Sequence, residues 1–268
     1  MKQFKRLFTF GCSLTKYKWQ TWADILGELA EEFYNHGAPG SGNTQIFNKI
    51  MIADSEYNFT SDDTIAICWS GILRDDTYEQ GKWFTQFKTE IKQSKLDPIG
   101  MKIKTLSYVK AINNFLQNKN IPNIVFSTPL FEDEIPYRNK KIDETFKSEL
   151  EHLNKVNIFD CLNLNISGAD LTKQQEGRRP RPKHNNYLDK FDPHPTPLEH
   201  LKIVETALKI TINDEIRQKV KQWEKDMWAD NWRWTWLDQP RNAWKVTFPD
   251  IAKNIEELEN RIKKLENK

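Results

Sequence analysis

Leu7-Phe-Thr-Phe-Gly-Cys-Ser-Leu-Thr15 runs from an apolar, β-prone segment straight into a turn of small residues that carries a hydroxyl. Leu7 to Phe10 suits a central parallel strand, buried on both faces. Gly11, Cys12 and Ser13 then let the chain turn, so that the Ser13 side chain and its own N–H point out at the carboxyl end of the sheet. In open α/β sheets that edge is where ligands bind. Short Ser/Thr turns also follow ordinary strands, so the weight of this stretch depends on what the rest of the chain brings to it.

Downstream, the pattern alternates strands and helices. Thr21-Trp-Ala-Asp24 is a capping box, and Trp22, Ile25, Leu26 and Leu29 follow at helical spacing. Glu31–Asn35 reads as a second strand. It ends in a loop rich in Gly, Pro, Ser and Asn from His36 to Asn43, and a helix is expected over Thr44–Ala53. Thr64–Trp69 is the strongest interior strand, and the excursion from Leu73 to Gly100 is expected to turn Trp83, Phe84 and Phe87 inward. Leu106, Val109, Ile112 and Leu116 mark an amphipathic helix. Asn123–Pro129 and Val156–Asp160 read as the fourth and fifth strands. Strands separated by helices imply parallel crossovers, hence a three-layer α/β/α domain of about five strands.

Periodicity disappears between Cys161 and Leu188, where Arg178-Arg-Pro-Arg-Pro-Lys183 is either a solvated loop or an electropositive lid for anionic substrates. Phe191-Asp-Pro-His-Pro-Thr-Pro-Leu-Glu-His200 follows. Thr196 suits an N-cap, Pro197 the first helical position and Glu199 the reciprocal cap, so His194 stands in the turn just before a helix. That helix is expected to bury Leu198, Leu201, Val204 and Leu208. The tail then changes character: residues 223–244 hold six of the ten tryptophans. Phe248, Ile251, Ile255, Leu258, Ile262 and Leu265 form a heptad seam. The boundary is therefore placed at 211, with an α/β domain over 1–211 and a Trp-rich helical extension over 212–268.

Composition narrows the functional classes. The 268 residues carry 40 basic and 38 acidic side chains, a formal charge of +2, which gives no polyelectrolyte argument for nucleic acid or an anionic membrane. Cys12, Cys68 and Cys161 lack CxxC spacing and lie in or beside expected strands, as reduced core thiols do. No segment reaches the apolar length of a transmembrane helix. Lys2, Lys5 and Arg6 precede too short an apolar run for a lipoprotein signal, so the expected location is the cytoplasm.

Ser13 at the end of the first strand, with Asp192 and His194 after the last, gives nucleophile, orienter and base in the order Ser, Asp, His. Metal binding by Asp192, His194, His200 and His184 ranks last, because ligands crowded onto one turn and one helix make a poor open site. At these residues the chain resembles the SGNH hydrolase superfamily, the GDSL-type esterases and lipases. Gly11-Cys-Ser13-Leu-Thr15 is similar to its first block, Gly-Asp-Ser-Leu-Thr, with Cys12 in place of Asp. Asn35-His-Gly-Ala-Pro-Gly40 resembles the second block, whose glycine N–H helps to form the oxyanion hole; Gly40 is the better match and Gly37 the reserve. Asp192-Pro-His194 is similar to the fifth block.

The third block departs from the family pattern Gly-x-Asn-Asp, since here the strand runs into Trp69-Ser70-Gly71. Ser70 stands where the family Asn would donate to the oxyanion, with Asn43 and Arg74 as reserves. The resemblance implies a serine esterase without metal or organic cofactor, acting on an O-acetyl or other short acyl group, most naturally of a carbohydrate. Tyr17, Trp19, Trp69 and Arg74 would be its substrate contacts. The altered third block also allows a different class of protein, a non-catalytic binding or assembly module in which the C-terminal helix makes oligomers.

Overall fold

The computed structural model describes residues 2–72, 74–87, 97–127, 139–153 and 194–229. Its centre is a parallel sheet of four strands, β1 (Phe4–Gly11), β2 (Ala30–Asn35), β3 (Asp63–Trp69) and β6 (Asn123–Ser127), in the order β2-β1-β3-β6. The chain leaves β1 towards β2 and returns on the other side of β1 as β3. That reversal makes the carboxyl ends of β1 and β3 a topological switch point, where α/β sheets place their ligands. Gly11 pairs with Cys68 across these strands, so Ser13 and Ser70 each lie two residues beyond the last paired position.

Side-chain alternation along the strands feeds two cores. Phe8, Phe10, Ile65, Ile67 and Trp69 face α2 (Asn43–Tyr57), α3 (Pro98–Asn118) and α5 (Lys147–Leu153). Leu7, Ala66, Cys68 and Phe126 face α1 (Trp22–Gly27), α6 (Pro197–Lys202), a π-helical turn (Ile203–Ala207) and α7 (Asp214–Ala229). Helices on both sides of a parallel sheet make this an α/β fold, with the short α4 (Lys140–Thr145) leading into α5. The expected periodic faces are present: Trp22, Ile25, Leu26 and Leu29 are buried, as are Leu106, Val109, Ile112 and Leu116. Cys12 and Cys68 are buried free thiols.

Several expectations need correction. The stretch after β3 is an antiparallel hairpin, β4 (Arg74–Glu79) and β5 (Lys82–Phe87), closed by Gln80 and Gly81, both at positive φ. Two positive φ angles in a two-residue connection are the signature of the hairpin turn that matches strand twist. Trp83 therefore packs against Tyr78 across the hairpin, 5.0 Å between ring centroids, instead of turning into the core. Leu198 is 39% exposed, because α6 buries the face of Pro197, His200 and Leu201.

The boundary at 211 falls inside a packed layer. Ile212, Ile216 and Val220 are buried with Trp22 and Leu201, and Trp223 packs on the same cluster, so α7 completes the domain's second helical face. Leu198 N–H donates to Glu224 at 3.1 Å, and Lys219 pairs with Glu28 at 2.6 Å. The expected fifth strand, the basic run 173–183, His184, Asp192, Cys161 and the heptad seam from Phe248 lie outside the described residues. Among the described residues no helix is long and apolar enough to cross a membrane.

Candidate active site

Gly11 ends β1 at a φ of 157°, and a Cβ there would lie 2.1 Å from Thr15 Oγ1. Only glycine lets the turn fold back this tightly. Cys12 C=O then accepts from the N–H groups of Thr15 and Lys16, at 2.9 and 3.2 Å, and Thr15 C=O accepts from Thr21 Oγ1 and Asn35 Nδ2, at 2.7 and 3.0 Å. Cys12 is thereby turned into the core while Ser13, 4% exposed, sits at the sheet edge.

His194 approaches from the far end of the chain. Thr196 caps α6 in a full capping box with Glu199, and Pro197 occupies the first turn, as the local sequence requires. His194, two residues before that cap, brings Nε2 to 2.8 Å from Ser13 Oγ across 181 residues of sequence. The loop after Ser13 holds this turn. Trp19 Nε1–H donates to Pro195 C=O at 2.7 Å, and the Tyr17 ring stacks on the His194 imidazole, 3.8 Å between centroids at 17°.

Ala38-Pro-Gly-Ser41 forms a tight turn in which Ser41 N–H donates to Ala38 C=O and Gly40 takes a φ of 84°. Proline followed by a positive-φ glycine is the type II pattern, and the closing bond leaves the Gly40 N–H out of the turn's own ring. The space above Gly40 is open: a Cβ built there meets no atom within 4 Å. Gly37 differs, since its N–H is spent on Asn35 Oδ1 at 3.0 Å. Between these residues, His36 stacks on Phe10, and burial together with the Lys49 cation holds its imidazole below the ordinary range. Lys49 donates to His36 C=O at 3.0 Å, and its own burial beside Lys16 lowers its pKa to about 8.

At the end of β3, Asn43 clamps the Ser70 peptide from both sides. Asn43 Oδ1 accepts from Ser70 N–H, and Nδ2 donates to Ser70 C=O, each at 2.8 Å, with Thr105 Oγ1 a further acceptor at 3.3 Å. The amide is consumed, which removes Asn43 from the reserve of oxyanion donors. The Ser70 hydroxyl, by contrast, is buried without a hydrogen-bond partner among the described residues. Arg74 donates to Ser41 C=O at 3.1 Å, and Asp76 accepts from Gly42 and Gln45 N–H, at 2.9 and 2.8 Å. The hairpin thus supplies the cap that Gly42 lacks at the start of α2.

Of the expected substrate contacts, Trp69 is fully buried in the core and Trp19 is 4% exposed with its indole committed to Pro195. Neither offers a ring face to a ligand. Tyr17 is half-buried on His194. The clamping role of Asn43, the capping role of Asp76 and the contact between Tyr17 and His194 leave no mark in the sequence, where no periodicity or motif signals them. No group of His, Cys, Asp or Glu able to hold a metal occurs among the described residues. No protein-family model matches the chain, and no curated protein matches it by sequence.

Proposed function

We propose that the protein is a serine ester hydrolase of SGNH type. The observation that carries this reading is the 2.8 Å approach of His194 Nε2 to Ser13 Oγ at the switch point of a parallel sheet. A hydroxyl bonded to an imidazole is an activated nucleophile. The Ser13 O–H gives its proton to His194 Nε2 as Oγ bonds to the acyl carbon. The carbonyl oxygen takes the negative charge, met in this reading by the N–H groups of Ser13 and Gly40 and by the Ser70 hydroxyl, which has no partner among the described residues. Collapse breaks the bond to the alcohol oxygen, which leaves with the proton from His194. Water then repeats the sequence on the acyl-enzyme, giving the free acid and restoring Ser13. Asp192 is the orienter of His194 in this scheme.

The substrate is a short acyl ester, most naturally an O-acetyl group on a carbohydrate, met in the cytoplasm without nucleic acid or membrane as partner. The open space above Gly40 is where its carbonyl would enter. The heptad seam from Phe248 is assigned to self-association, and light scattering on the full chain and on one ending at Pro249 reads it directly. The decisive experiment for the activity is labelling with a fluorophosphonate probe followed by mass spectrometry. Adduct at Ser13, lost in Ser13→Ala and in His194→Ala, is the expected result. Adduct at Cys12, or equal labelling of wild type and Ser13→Ala, refutes the assignment.

A further inference from the structure

We propose that Tyr17 is a positioning residue for His194, an aromatic plate that fixes the plane of the imidazole and stabilises its protonated form. The inference rests on the reading of His194 as the base. Two contacts define the ring: Ser13 Oγ lies 2.8 Å from Nε2, and Tyr17 stacks on its face, 3.8 Å between centroids at 17°. Without the plate, the imidazole could rotate about its Cβ–Cγ bond and take Nε2 away from Ser13. The plate is itself held. Trp19 meets the Tyr17 ring edge-on at 4.6 Å and 82°, and its indole N–H fixes Pro195 C=O, the residue after the base. One loop therefore grips both the side chain of His194 and the backbone beside it.

This device differs in kind from a carboxylate orienter. A carboxylate acts on a ring nitrogen, whereas the phenol face attracts the whole imidazolium as it gains the serine proton. Among the described residues, the charged or titratable groups on the elements meeting at this turn include Lys16 and Lys18 of the loop, Glu199, His200 and Lys202 of α6 and Glu224 of α7. Lys18 Nζ lies 5.9 Å from the Tyr17 centroid and draws on the same ring. Glu199 and Glu224 accept from backbone N–H groups of Thr196 and Leu198. The sign follows: favouring the imidazolium raises the pKa of His194, so removing the plate lowers it.

The test compares Tyr17→Phe, which keeps the ring, with Tyr17→Leu and Tyr17→Met, which do not, in the full chain. Histidine-selective NMR titration, with the His194 signal identified by His194→Gln, reads the pKa, and p-nitrophenyl acetate hydrolysis against pH reads kcat and KM. Both non-aromatic variants should lower the pKa by roughly half a unit and reduce kcat about threefold to thirtyfold at little change in KM. Tyr17→Phe should restore both. An unchanged pKa and kcat in the non-aromatic variants overturns the proposal. So does a Tyr17→Phe protein as impaired as Tyr17→Leu, which would make the hydroxyl a substrate contact. If the wild type hydrolyses no ester, the esterase reading fails while the NMR comparison still decides the role of Tyr17.

Discussion

The turn after β1 and the end of β3 lie side by side at the switch point, yet they are held in opposite ways. The first is folded mostly by its near neighbours: Cys12, Thr15, Lys16 and Thr21 exchange bonds along a few residues of chain. The second is held by a residue of another element, since Asn43 of α2 grips the Ser70 peptide from 27 residues away. Each region also carries a buried hydroxyl with no partner among the described residues, Thr15 Oγ1 in the first and Ser70 Oγ in the second. A buried unsatisfied polar group costs about 1–3 kcal/mol, so each of these hydroxyls detracts from stability. Ser13 is thus presented by local folding, and Ser70 is placed by packing between elements.

If the contrast is correct, breaking the first region removes chemistry and breaking the second separates chemistry from stability. The largest effect belongs to Ser13→Ala, which should lower kcat/KM for ester hydrolysis by about 10⁴-fold or more while leaving the denaturation midpoint nearly unchanged. Ser70→Ala comes next. Loss of one oxyanion donor should reduce kcat by about 10²–10³-fold with KM nearly constant. Because it deletes a buried hydroxyl with no partner among the described residues, the same change should leave stability level or raise it by up to ~1 kcal/mol in urea titration. A destabilised Ser70→Ala protein with full turnover would reverse the assignment.

Asn43→Ala should act the other way, costing roughly 2–4 kcal/mol by exposing the Ser70 N–H and C=O to burial without partners. Its activity should fall less than that of Ser70→Ala once the folded fraction is taken into account.

The smallest effect is electrostatic and concerns Lys49, which donates to His36 C=O in the loop after β2. Its folded pKa, about 8, lies below the ordinary 10.5, so the unfolded chain binds more protons between those values. Stability should therefore rise with pH across that window, by at most about 3 kcal/mol, and the penalty should be fully present below pH 8. Urea midpoints of wild type and Lys49→Met measured from pH 7 to 10.5 should converge as pH rises. Parallel curves would show that the burial of Lys49 carries no cost.

How far each region could be read from the chain follows the same division. Leu7 to Phe10, Thr64 to Trp69 and the series Leu106, Val109, Ile112, Leu116 declare strand and helix because their burial is periodic along the sequence. The capping boxes at Thr21 and Thr196 declare helix starts because their donors and acceptors are three residues apart. With those elements in place, Ser13 after the first strand and His194 before a capped helix are legible as candidates. Their mutual distance is not.

Tertiary structure decided the rest. That Nε2 reaches Oγ, that Tyr17 covers the imidazole and that Trp19 fixes Pro195 depend on how α6 docks against the loop after β1. Trp69 reads in sequence as a ring at the end of a strand, free to meet a sugar; the docking of α2 and α3 on its face of the sheet buries it completely. Residues 214–229 read as the start of an appendage because their composition changes, yet Ile216 and Val220 are needed to cover the second face of the sheet. Sequence determines what satisfies its bonds and periodicity within a few residues. Contacts between residues tens to hundreds of positions apart are set only when the layers pack, because their free energy depends on docking and leaves no local pattern to read.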